Sequence, residues 1–226
     1  MRATNSQNPM PEEALRATDR IHRQLEASFQ THSLFYDRRK GQYKDEGKPI
    51  TQIVSVIEVL QAMLSVVLQK PDDARARPRN YFKDDNKYTS IFGEDVYDLT
   101  VYLKSTELVR KVEEFLDTLD LELIHQRNLK FYLAMYAACM KTGSAYCPPG
   151  ELLKLDLSSL APELLKDSYE RVWGHYQRLA DKYSVNGERD YDSLAKGPNL
   201  LKALSSDLKK RLRKKIRKSA RQLGVR

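Results

Sequence analysis

Apolar residues recur every three or four positions along most of this 226-residue chain, a spacing typical of amphipathic helices. The most regular series follows Pro162 and comprises Leu165, Tyr169, Val172, Tyr176, Leu179 and Tyr183. Similar spacing follows Val101, and another helix is predicted from about Glu122 to Lys141, ending at Gly143. The sequence therefore predicts a mostly α fold, a multi-helix bundle-like domain with a long basic C-terminal helix from about Asn199 to Gln222.

Two parts of the first hundred residues depart from this spacing. Residues 34–44 predict a small β-hairpin, with Gly41 at its turn because glycine accepts positive φ. The stretch from Asp84 to Phe92 is predicted to be a loop and a short turn. Between them, Ser55 and Glu58 form a capping box ahead of a strongly apolar segment, which predicts the most buried helix of the fold.

The clearest break in the chain is the segment Cys147 to Gly150, with two consecutive prolines. It suggests two regions, residues 1–145 and a C-terminal helical region over residues 146–226. Two cysteines do not make a disulfide framework, and the N-terminus has no apolar core like that of a signal peptide. The longest apolar run, Phe131 to Met140, falls short of the about 20 residues that span a bilayer. We therefore expect a cytoplasmic protein.

Positive charge is concentrated at the C-terminal end of the sequence. Residues 202–226 contain 11 Lys or Arg and one acid, Asp207, so they carry +10; the rest of the chain has 28 basic and 30 acidic residues, or −2. Cations gathered on one helix face attract phosphate backbones by counterion release. The residues predicted to bind DNA or RNA are Lys209, Lys210, Arg213, Lys214, Arg217, Lys218 and Arg221.

Two other interpretations of this basic segment stay open. Its apolar face could dock on the rest of the protein while the lysines are merely solvated. Alternatively, it could lie on an anionic membrane surface, the least expected of the three.

The sequence predicts no catalytic residue, no metal site and no cofactor. The four histidines, His22, His32, His125 and His175, are scattered, and no compact zinc-ligand pair occurs. Neither Cys139 nor Cys147 has a neighbouring base in the sequence that would activate it. Arg171 and His175 are one residue too close for the pattern of helical ribonucleases of the HEPN class. An enzyme with an unrecognised site stays open, but the sequence favours a protein without catalytic activity.

The N-terminal third, over roughly residues 2 to 96, resembles the C-terminal region of the abortive phage infection (AIPR) protein family. The resemblance lies in the order and spacing of five residue blocks: Ala3 to Pro9, Arg23 to Glu26, Phe35 to Gly41, Pro71 to Arg75 and Tyr88 to Phe92. It implies a role in bacterial defence against phage through nucleic acid.

The first block supplies the family-motif residues Thr4, Asn5 and Gln7, and Arg2 directly before it is the fourth. Amide side chains can pair with adenine and arginine with phosphate or guanine, although asparagines in such a segment more often form turns.

Family members usually carry a large N-terminal part, with an Asn-Gly-x-Gln-Thr type motif, ahead of the point where this sequence begins. No activity housed there can be carried over. The alternatives are therefore a protein-interaction subunit that completes a separately encoded partner, or a fragment of a nuclease-like defence protein.

Overall fold

A computed structural model describes residues 11–157 and 160–222 of the chain, with side chains as far as residue 214. Contacts divide the chain into two compact units. Unit 1 comprises Met1–Glu58 and Arg79–Leu99, and unit 2 comprises Val59–Pro78 and Thr100–Arg226. The family-motif residues Arg2, Thr4, Asn5 and Gln7 lie outside the described residues, as do the side chains of Arg217, Lys218 and Arg221.

The described residues form helices joined by short connections, with one pair of short strands. In chain order the elements are α1 (Glu12–Leu15), α2 (Arg20–Gln30), β1 (Phe35–Asp37), α3 (Gln42–Asp45), β2 (Ile53–Ser55), α4 (Val56–Ala62), α5 (Pro71–Ala76), α6 (Asn80–Lys83), α7 (Asp85–Phe92), α8 (Leu99–Asp117), α9 (Leu123–Thr142), α10 (Pro149–Lys154), α11 (Pro162–Lys182), α12 (Tyr191–Lys196) and α13 (Pro198–Gln222). The mostly α prediction is confirmed, and so is the long C-terminal helix.

In unit 1 the predicted β-hairpin near residues 34–44 is wrong. Strand β1 pairs with β2 instead, in parallel, with Phe35 opposite Ile53 and Asp37 opposite Ser55. Gly41 does adopt positive φ, at +89°, but it starts the short helix α3 rather than a turn between strands. Its amide donates to Asp37 Oδ2 at 2.7 Å, which closes the chain into a tight turn after β1. Each residue of β1 pairs with one 18 positions further along the chain, so no local pattern indicated the partner.

The stretch from Asp84 to Phe92 was predicted to be a loop and a short turn, but Asp85–Phe92 form helix α7, with Asp84 at its N-cap. The Asp84 side chain accepts from the Lys87 amide at 3.1 Å and so satisfies one of the donors at the helix start. Tyr88, Ile91 and Phe92 are buried on one face at the three- and four-residue spacing of a helix. The segment is short and mostly polar, so that spacing was easy to miss.

Unit 2 is built around α9. Every residue from Asn128 to Cys139 except Lys130 is buried, and the helix packs against α5, α11, α12 and α13. The segment predicted as the buried helix begins in unit 1 as α4, where the Glu58 amide donates to Ser55 Oγ at 3.1 Å, and continues in unit 2 as a π-helical turn over Met63–Val67. Among the described helices, none combines the length and apolar character needed to cross a membrane.

Candidate nucleic-acid interface

Helix α13 packs on the other helices of unit 2 through a row of leucines. Leu200, Leu204, Leu208 and Leu212 recur every four residues and are each at most 5% exposed. Helix α13 contacts α5, α9, α11 and α12, and we infer that the buried leucines face these helices. Because the leucines occupy one side of the helix, the residues on the opposite side are directed to solvent.

Polar contacts of two residues, Asp207 and Arg211, hold the same side of α13. The Tyr136 hydroxyl of α9 donates to Asp207 Oδ2, and His175 Nε2 of α11 lies 3.7 Å from Asp207 Oδ1. The Arg211 guanidinium donates to both oxygens of Asp167 on α11, at 2.8 and 3.2 Å. Burial, followed by the hydrogen bond to Asp207, raises the pKa of Tyr136 above its usual range. The only acid of the basic segment therefore faces the bundle.

The remaining cations of the described part of α13 lie on the solvent side. We call Lys202, Lys209, Lys210, Arg213 and Lys214 the basic arc. All five are exposed, and at 3.6 residues per turn they fall within about 140° of the helix circumference. None of them forms an ion pair with the residues that the structure describes, in contrast to Arg211.

Four of the seven residues predicted to bind nucleic acid therefore share one exposed surface: Lys209, Lys210, Arg213 and Lys214. Arg217, Lys218 and Arg221 belong to the same helix, although their side chains lie outside the described part of the chain. The arc carries positive charge and no aromatic side chain. It can neutralise phosphates, but it offers no aromatic ring on which bases could stack.

Sequence reasoning missed a chain of hydrogen bonds inside unit 1. The Tyr88 hydroxyl donates to Asp19 Oδ2 at 2.6 Å and lies 3.1 Å from His22 Nε2, while the Tyr36 hydroxyl lies 2.6 Å from His22 Nδ1. The Tyr88 proton goes to Asp19, so we infer that Nε2 carries the imidazole proton and Tyr36 donates to Nδ1. Burial lowers the pKa of His22 to about 4, so the ring is neutral at pH 7.

A second contact in unit 1 links two of the residue blocks that suggested the family. Arg38 Nε donates to Glu26 Oε2 at 2.6 Å, and the Tyr43 hydroxyl donates to the other carboxylate oxygen at 2.8 Å. Both charged side chains are about 15% exposed or less. The block Arg23 to Glu26 and the block Phe35 to Gly41 thus meet through a shielded ion pair. These partners are distant in sequence, so no local spacing indicated them.

A third missed network lies in unit 2, where Arg75 connects three helices. Its Nε donates to Asn128 Oδ1 of α9 at 2.9 Å, and its terminal nitrogen donates to Asp192 Oδ1 of α12 at 2.7 Å. The buried Asn128 amide in turn donates to the Tyr176 hydroxyl at 2.8 Å. Asn128 thus has a structural role.

The described residues contain no group of three or more His, Cys, Asp or Glu that could hold a metal ion. Cys139 and Cys147 are both buried, and burial raises the pKa of each thiol to about 12. Thiols with raised pKa values are poor nucleophiles at neutral pH.

Comparison with known proteins places the chain in one family. Residues 1–200 match the family model described as AIPR protein, well beyond the N-terminal third in which the resemblance was recognised. No curated protein and no solved structure matches the chain. Because the match covers far more than half of its 226 residues, this protein belongs to the AIPR family.

Proposed function

We propose that this protein acts in bacterial defence against phage by contacting nucleic acid through the basic arc of α13, as a binding module rather than an enzyme. Membership of the AIPR family suggests the role in abortive phage infection. One observation carries the choice of ligand: the arc has no acidic partner among the described residues, while Asp207 is turned towards the bundle. Its positive potential is therefore available to a polyanion.

The proposed contact is to the phosphate backbone and is independent of base sequence. Each neutralised phosphate releases condensed counterions, so the affinity should fall steeply as salt rises. All five members of the arc are Lys or Arg, and each can neutralise a phosphate whatever the neighbouring base. The proposal includes a cytoplasmic location, where the thiols of Cys139 and Cys147 would stay reduced.

Substitution is the appropriate test because truncation would remove the buried leucines of α13 and expose the core of unit 2. The test variant replaces Lys209, Lys210, Arg213 and Lys214 by Gln. A matched variant replaces four exposed cations of unit 1, Arg23, Arg39, Lys40 and Lys44, by Gln. The two variants lose the same net charge, so only the position of the charge differs between them.

Binding is measured by fluorescence anisotropy with duplex DNA, single-stranded DNA and RNA over a range of salt concentrations. With duplex DNA, we expect the arc variant to reduce the slope of log K against log salt by up to about 3.6, since each phosphate contact contributes about 0.9. The unit 1 variant should keep the wild-type slope. Equal slopes for the two variants would rule the interface out. Binding of wild-type protein to anionic vesicles but to no nucleic acid would favour the membrane interpretation instead.

A further inference from the structure

Unit 1 contains a cavity that plays no part in the proposed nucleic-acid contact. Its volume is about 350 Å³, at the small end of the range for ligand sites. The residues that line it are Glu12, Leu15, Arg16, Asp19, Phe82, Lys83 and Asp85. Apolar side chains and charges of both signs therefore share the wall.

The charges of the wall do not cancel. Arg16 is engaged twice, because it pairs with Asp85 and its guanidinium lies 4.4 Å from the centre of the Tyr88 ring. The pair leaves Glu12 and Asp19 opposed by Lys83 alone. With three acids against two cations, the cavity has an excess of one negative charge. A cation is favoured there and an anion such as phosphate is disfavoured.

The Asp19 carboxylate has one oxygen fixed by a hydrogen bond and one oxygen that could accept a hydrogen bond from such a cation. Asp19 occupies the N-cap position of α2, yet its side chain makes no capping hydrogen bond, although aspartate is a preferred cap. Instead, one carboxylate oxygen accepts from the Tyr88 hydroxyl, which is itself fixed by the buried His22. The other oxygen has no hydrogen bond from a described residue. The buried chain from Tyr36 to Tyr88 thus fixes one oxygen of an acid that lines the cavity.

We propose that this cavity binds a small organic cation carrying N–H donors, a guanidinium or a primary ammonium group, with Asp19 as its counter-ion. The free oxygen of Asp19 accepts a charge-assisted hydrogen bond from the cation. The Phe82 ring and the Leu15 side chain cover its apolar part. Such a group could be a free small molecule or an arginine or lysine side chain in a peptide.

The test is isothermal titration calorimetry on the full chain with three ligands of similar shape. L-argininamide and L-lysinamide, each with an acetylated α-amine, carry only the side-chain cation, whereas L-citrullinamide acetylated in the same way carries a neutral urea group and no cation. We expect at least one of the cations to bind about ten- to a hundredfold more tightly than citrullinamide, the range for a hydrogen bond to a charged group. A short peptide with one central arginine then distinguishes a free ligand from a side chain.

Two substitutions should change this binding in opposite directions. Asp19→Asn keeps an oxygen for the Tyr88 hydroxyl and a good N-cap residue, but it should weaken binding of the cation about tenfold or more. Lys83→Gln removes the opposing charge and should strengthen binding about two- to fivefold. Asp45→Asn, an exposed acid of α3, is the matched control.

Equal affinity for citrullinamide, wild-type affinity in Asp19→Asn, or no binding of either cation would overturn the proposal. Each result is independent of whether α13 binds nucleic acid, because the lining residues all belong to unit 1.

Discussion

His22 is a buried imidazole whose two nitrogens are both engaged by tyrosine hydroxyls, and this should make unit 1 sensitive to acid. Its pKa is lowered to about 4 in the folded protein, mainly by burial, from an ordinary value of 6.5. The folded state therefore disfavours the protonated ring. The contribution of the neutral His22 ring to the unfolding free energy is therefore fully present above pH 6.5 and is lost as the pH falls towards 4. Between pH 7 and pH 5 we expect His22 to contribute a loss of about 2 kcal/mol in unfolding free energy.

Urea unfolding followed by circular dichroism at the two pH values checks this expectation. The His22→Gln variant should have a lower unfolding free energy than wild type at pH 7. This difference, the gap between the two proteins, should narrow by about 2 kcal/mol at pH 5. Replacing the exposed His32 by Gln controls for the loss of a histidine elsewhere in unit 1. A gap that stays constant between the two pH values would show that His22 is not kept neutral by the fold.

At the scale of elements, Arg75 should be irreplaceable by lysine because it joins α5 to α9 and α12. Two different nitrogens of its planar guanidinium donate to Asn128 and Asp192, whereas lysine has one nitrogen on a flexible stem for both acceptors. Arg75→Lys leaves the buried Asn128 oxygen without a donor, so we expect a loss of about 1–3 kcal/mol. Arg77→Lys is the control: Arg77 is 66% exposed and should change stability by less than about 0.5 kcal/mol. Fluorescence of Trp173, the sole tryptophan, follows unfolding of unit 2. Equal losses of unfolding free energy in the two variants would contradict the bridging role of Arg75.

The same scale shows which elements the sequence could predict. The long helices α8, α9, α11 and α13 were predicted because each carries its own period of apolar residues, and Gly143 ends α9 at positive φ as expected. The pairing of β1 with β2 and helix α7 were not predicted. Two three-residue strands carry too few residues for a pattern, and their pairing depends on contacts across the turn after Asp37. The boundary after residue 145 stays a prediction.

At the scale of the whole molecule, the net charge of +8 is unevenly distributed between a basic C-terminal segment and a nearly neutral remainder. The C-terminal 25 residues carry +10, and the arc could be predicted because the facing of a helix depends only on local spacing. The cavity beside Asp19 could not, since its lining comes from residues 12–19 and from α6 and α7, which are more than 60 residues further along the chain. The charged face of one helix can be predicted from neighbouring residues in the sequence, whereas a cavity can be found only once the tertiary fold is known.

This division of charge leads to a prediction about the protein in cells. If the arc serves defence, bacteria carrying the Gln variant of Lys209, Lys210, Arg213 and Lys214 should lose protection in a phage-challenge assay that the wild-type protein passes. The loss would not come from unfolding, because these side chains are exposed and the leucines that attach α13 are unchanged. The unit 1 variant, with the same net charge, should still protect. Equal protection by both variants, at equal protein levels, would show that the basic arc is not needed for defence.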